Sequence, residues 1–141
     1  MLMLKDLLNW PEIMTANRSS GGHTDVMDKL FKGQILASYV ENDYQGQLGY
    51  VYLVYDFEKF AKIVVISDYF GSCSGCDSWE DASDEDVKTF CVQLANNAHM
   101  FNSIKEAVDF LKMVVEAEDS AYYDLRRLAG PLAEQLEKVK L

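Results

Sequence analysis

Three β-forming segments separated by very short connections constrain this chain more than any other feature. They cover residues 34–41, 47–56 and 62–70 and are rich in Val, Ile, Leu and Tyr. The first connection, Asn42-Asp43-Tyr44-Gln45-Gly46, carries turn chemistry. Parallel neighbours need a crossover of roughly a dozen residues, and neither connection has the length for one. An antiparallel meander is therefore expected. In the middle segment Val51, Leu53 and Tyr55 alternate with Leu48, Tyr50, Tyr52 and Val54, so both faces are apolar. Such a strand is expected at the centre of a sheet covered on both sides.

Helical periodicity surrounds these segments. Leu4, Leu7, Leu8 and Met14 predict an amphipathic helix over residues 2–15, broken or kinked at Pro11. Residues 15–23 (TANRSSGGH) read as a polar, mobile loop, and Thr24 can cap a short helix ending at Gly33. After the sheet, Val87, Phe90, Cys91, Leu94, Ala95 and Ala98 repeat with helical spacing behind Ser83 as N-cap. Ser103 and Glu106 form a capping-box pattern for the next helix. Gly130-Pro131 is expected to separate it from a short final helix carrying Leu132, Leu136 and Val139. The expected fold class is α+β, with a three-stranded antiparallel meander flanked by N-terminal and C-terminal helices. At 141 residues it fits a single domain, 1–141.

Thirteen basic against twenty-three acidic residues give a net charge of −10. Gripping nucleic-acid phosphate needs clustered Lys and Arg, and only Arg18, Arg126 and Arg127 supply guanidinium groups, so direct nucleic-acid binding is not expected. No apolar run reaches the roughly 20 residues that span a bilayer, and the N-terminus lacks a basic leader, so a cytoplasmic protein without a membrane partner is expected. G-x-x-x-x-G-K-[ST], G-x-G-x-x-G, G-x-S-x-G and H-E-x-x-H are all missing, and two histidines offer little acid–base chemistry at neutral pH. An enzyme using acidic residues on a small polar substrate is the third choice among the functional readings.

The candidate site is the stretch between the third strand and the helix after it, YFGSCSGCDSWEDASDED, residues 69–86. Cys73 and Cys76 form a C-x-x-C pair, half of a structural zinc site. Cys91, His23, His99 or Asp77, or a second copy of the chain, would have to complete it. Thiol catalysis fits poorly: the neighbouring acids disfavour a thiolate, a meander replaces the βαβ unit of thioredoxin, and no proline follows before Pro131. Gly71, Ser72, Ser74 and Gly75 suit a tight small-residue turn, with the cysteines as small fillers. Asp84, Glu85 and Asp86 suit the first turn of a helix, where acids meet the positive end of its dipole. Asp77, Glu80 and Asp81 have no such explanation. Beside Trp79, and with Tyr69 at the end of the strand, they read as a partner-binding surface in which tryptophan anchors and carboxylates steer. Six of the eight tyrosines lie between Tyr39 and Tyr69, which strand propensity accounts for.

Tyr44–Gly46, Tyr50–Asp56, Ile63–Phe70 and the Gly-Ser-Cys-Ser-Gly-Cys-Asp-x-aromatic-Glu run at Gly71–Glu80 resemble small proteins of phages, prophages and other mobile elements. The likeness covers the sheet and the loop after it, not the helical ends. It implies an accessory protein acting in the host cytoplasm by binding, in the inhibitory case blocking, a host protein with a basic or nucleic-acid-binding surface. No cofactor is expected on this reading. A small zinc- or ligand-binding module built on Cys73 and Cys76 is the alternative, and a homo-oligomer is compatible with either.

Overall fold

The computed structural model describes residues 3–18, 22–41, 46–70, 82–117 and 122–140. The order of elements is a 3-10 turn Leu4–Leu7, α1 Trp10–Arg18, α2 Gly22–Met27, β1 Gln34–Glu41, β2 Gly46–Tyr55, β3 Ala61–Phe70, α3 Asp84–Asn97, β4 His99–Phe101, α4 Ile104–Glu116 and α5 Tyr123–Glu137. The fold is α+β. The sheet is antiparallel in the order β1-β2-β3-β4, so it has four strands where three were expected. The added strand, His-Met-Phe, is too short to carry an alternation that a sequence reading could detect.

β2 and β3 pair along ten positions, from Gly46↔Phe70 to Tyr55↔Ala61. Their alternation divides the core in two. Leu48, Tyr50, Tyr52, Val54, Val64 and Ile66 face one way and pack with Ile13, Val26, Met27, Leu30, Val87, Cys91 and Leu94. Val51, Leu53, Ile63 and Val65 face the other way, against Leu111, Val114, Leu128, Leu132 and Leu136. The N-terminal helices and α3 thus cover one face, and α4 and α5 the other, as the two-faced apolarity of β2 requires. α5 rides close over β2 at Gly49, where an added Cβ would stand 3.0 Å from Leu132 Cδ1 and 3.2 Å from Leu128 Cδ1.

Three expectations are corrected. The N-terminal segment is not one helix: the 3-10 turn is followed by α1, with Pro11 in its first turn, where a missing N–H costs little. Residues 15–18 belong to α1, and residues 22 and 23 to α2, not to a polar loop. Most clearly, α5 runs through Gly130-Pro131 without a break. An interior proline costs about 3 kcal/mol, and a fully buried leucine returns about 1.5–3 kcal/mol. Leu125, Leu128, Leu132 and Leu136 are all buried along one stripe of α5, so packing outweighs the local breaker.

The edge at β1 is closed by a side chain. Gln135 of α5 donates from Nε2 to Ser38 O (2.8 Å) and accepts at Oε1 from Ser38 N (3.0 Å), taking the place of a neighbouring strand. The other edge, β4, is only three residues long. Gln135 and the short β4 both limit pairing with another chain.

Candidate functional site

Cys73, Cys76, Asp77, Trp79, Glu80 and Asp81 lie outside the described residues. The structure does describe what holds the two ends of their segment. On the upstream side Tyr69 and Phe70 close β3, paired to Gln47 and Gly46. Downstream, Ser83 caps α3: Ser83 Oγ accepts from Asp86 N (3.1 Å), and Asp86 Oδ2 accepts from Ser83 N (3.3 Å). This reciprocal box satisfies two backbone donors that the first turn of a helix leaves over. Asp84 is tied sideways to α1, accepting from Asn17 Nδ2 (3.2 Å) and Arg18 Nη2 (3.4 Å), and Glu85 pairs with Lys88 at 3.3 Å. All three first-turn acids are therefore engaged at the helix start, as their sequence position predicted.

The remaining thiol and imidazole occupy opposite faces of the sheet. Cys91 is fully buried in the core beneath α3, and its thiol is pushed up to about 12 by burial, with Asp68 adding to the effect. That is the packing role expected of a free cysteine, not that of a thiolate ligand. His99 starts β4, just after the end of α3 at Asn97. Its ring lies on Phe110 with centroids 4.6 Å apart, beside Phe101 and Tyr122 on the α4–α5 side. Cys91 and His99 do not converge on one metal ion. Among the described residues no group of three or more His, Cys, Asp or Glu is placed to hold a metal ion.

Burial holds the His99 imidazole below its ordinary pKa. The unfolded chain binds this proton more readily than the folded one, so the stabilising contribution is complete above about pH 6.5 and is lost as the pH falls through the depressed folded value. The expected result is a melting temperature that drops between pH 6.5 and 5.5 in the wild type and drops less in His99→Phe. Parallel curves for the two proteins over this window would disprove the assignment.

No protein family, curated protein or solved structure matches this chain. Its function is therefore read from its own residues. Among the described residues, a depression of about 320 Å³ between α1 and α2 is lined by Glu12, Thr15, Ala16, Asp25, Asp28 and Lys29. Its charges are mixed, and its described lining holds no cysteine, serine or histidine. The described groups with clearly displaced pKa values in the core, Tyr50, Tyr52, Cys91 and His99, are each displaced first by burial among apolar side chains. No described helix is long and apolar enough to cross a membrane.

The sequence reading passed over a group at the opposite end of β2 and β3 from the Gly46↔Phe70 pair. The β2–β3 connection carries Tyr55, Phe57 and Phe60, exposed at 57%, 72% and 61%. Two phenylalanines inside a five-residue connection between strands are the signal the sequence carries for it.

Proposed function

We propose that this chain is a non-enzymatic interaction protein that binds a partner's basic surface through Asp77, Trp79, Glu80 and Asp81. The observation that carries the reading is the clamp on both ends of this segment. β3 is locked into the sheet at Phe70, and α3 is capped at Ser83 and tied to α1 through Asp84. A loop held between rigid ends loses less conformational freedom on binding than a free tail does. The acids of the α3 start have structural partners of their own, and helix-dipole and capping roles do not extend to Asp77, Glu80 and Asp81, which lie before the cap. The likeness of Tyr44–Glu80 to phage and mobile-element proteins supports an accessory role against a host protein, and the −10 charge suits steering towards a basic surface.

The test is retention of host protein on the immobilised chain, comparing wild type with Trp79→Ala and with the triple variant D77K/E80K/D81K. Loss of an anchoring tryptophan is expected to weaken binding by about 2 kcal/mol or more. Charge reversal is expected to slow association about tenfold or more and to remove its salt dependence. Equal retention by all three proteins, at unchanged melting temperature, would remove residues 77–81 from the account.

A further inference from the structure

The two hydrogen bonds of Gln135 fix the phase of the whole sheet. In an antiparallel sheet the N–H and C=O of one residue point to the same side, and the side alternates along the strand. Ser38 N and Ser38 O both reach Gln135, so Ser38 points away from β2. Its partner Tyr50 then points towards β3, and Ile66, paired with Tyr50, points back to it. The bond from Asp56 N to Phe60 O, at the far end of the same hairpin, gives the same phase, since even-numbered residues of β2 and β3 face each other there too. Val65, Ser67 and Tyr69 therefore direct their backbone groups to the β4 side of β3.

β4 does not reach that far. It pairs with Ile63, Val64 and Val65, and the end of α3 at Asn97 takes the chain out of the sheet just before it. Gln135 fills the β1 edge and β4 fills β3 as far as Val65. Among the described residues, no backbone or side-chain group hydrogen-bonds to Ser67 on this side. Ser67 is half-buried, and its strand is held on the other side by ten pairs to β2. The backbone of this edge is thus fixed before any partner arrives.

We propose that the edge of β3 at Ser67 and Tyr69 is a strand-addition site, taking an extended segment of the partner protein with a basic residue opposite Asp68. The proposal rests on the partner-binding reading above and names the form in which the partner is held. Donors and acceptors recurring at every second residue of a fixed strand are matched by another extended backbone, which exchanges both bonds at Ser67 and both at Tyr69. Between them Asp68 would belong to a non-hydrogen-bonded pair, where facing side chains come closest, and a Lys or Arg there is favoured. The net charge of −10 favours the same choice. A second copy is disfavoured by this geometry. Two β3 edges joined across a two-fold axis, with Ser67 facing Tyr69, would set Asp68 against Asp68 in that close pair. Two bonded positions make a short ladder, so the hold on a lone peptide is weak.

The probe is the acetylated and amidated peptide Thr-Val-Lys-Val-Thr. Its control is the same peptide N-methylated at both valines, which keeps the charge and loses the two N–H donors. Amide hydrogen exchange of the full chain is followed residue by residue by NMR. In the free chain Ser67 N–H should exchange about tenfold or more faster than Ile66 N–H. At millimolar probe the exchange of Ser67 and Tyr69 should slow about tenfold, and the N-methylated peptide should leave it unchanged. Asp68→Lys should need about tenfold more of this probe and should prefer Thr-Val-Glu-Val-Thr, a swap that a folding defect would not produce. D77K/E80K/D81K should leave the protection of Ser67 in place. The proposal is overturned by a Ser67 amide as protected as that of Ile66 in the free chain, by no slowing with the probe, or by equal slowing with the N-methylated peptide. It is also overturned by an unchanged preference in Asp68→Lys, or by loss of the protection in D77K/E80K/D81K, which would put the probe on residues 77–81. Protection of Ser67 by the probe in a chain that retains no host protein would support the edge and overturn the reading of residues 77–81.

Discussion

Gly33→Ala is expected to cost about 3–5 kcal/mol, a large share of the roughly 5–15 kcal/mol that holds a domain of this size together. Gly33 has φ 153°, and a Cβ built on it would stand 2.1 Å from the carbonyl oxygen of Leu53 and 3.1 Å from its carbon. Both are backbone atoms of the central strand, so no side chain can swing aside to relieve the contact. Either β1 moves away from β2 or the residue changes its backbone conformation, and each route disturbs the Gln34↔Leu53 pairing beside it. Gly130→Ala is the control. It lies inside α5, and the nearest atom to its new Cβ is Val115 Cγ2 at 4.0 Å. Replacing a helical glycine with alanine in open space should leave stability unchanged or raise it by up to about 1 kcal/mol. Urea unfolding of both variants checks the pair. A Gly33→Ala protein within 1 kcal/mol of wild type would show that the close approach to Leu53 is not required.

Gly33 also marks where sequence reading reached and where it stopped. A glycine after Leu30 and Phe31 looks like the end of a helix, but α2 ends at Met27 and Gly33 serves the approach of β1 to β2. That approach is set by residues twenty positions apart, which no local pattern reports. The meander was legible because β2 and β3 carry long apolar alternations joined by connections too short for a crossover. The cover on both faces was legible because β2 has no polar face. The continuation of α5 through Pro131 was not legible, since a local breaker was outweighed by leucines packing against a distant sheet. Ser103 caps α4 as its pattern implied, yet Glu106 reaches back to Asn102 N (2.9 Å), one residue before the capping-box position. For the candidate site, sequence picked out the acidic segment from charge and composition. It missed Phe57 and Phe60, whose exposure depends on where the turn points.

These observations give the molecule two distinct ends. One carries the segment between Phe70 and Ser83, with Arg18 on Asp84 and Arg127 on Glu41 (3.4 Å each) already holding nearby carboxylates. Exposed pairs of this kind contribute little stability, about 0–1 kcal/mol. They occupy two of the chain's three arginines. The other end is charge-balanced and aromatic.

Tyr52→Phe is the second variant with a large expected effect, about 2–4 kcal/mol of destabilisation for the loss of one oxygen atom. Tyr52 is fully buried in the middle of β2, with its ring edge-on to Phe31 at 5.3 Å. Its hydroxyl donates to Met27 O and accepts from Leu30 N at 3.3 Å. It therefore serves the last carbonyl of α2 and an amide of the turn that follows, where the helix has no partner of its own to give. Phenylalanine would leave a buried carbonyl and a buried N–H without this partner, at about 1–3 kcal/mol each. Tyr50→Phe should cost less than about 1 kcal/mol, because the hydroxyl of Tyr50 bonds to Asp28, which is exposed and has water as a replacement. The pH dependence separates the two further. Burial raises the Tyr52 pKa above its ordinary value near 10, so the unfolded chain ionises first and stability falls as the pH climbs past about 10. Tyr52→Phe should flatten that alkaline loss while lowering stability at pH 7. Unfolding curves at pH 7 and 10.5 that shift equally for wild type and variant would show that Tyr52 is not the buried hydroxyl on which α2 is hung.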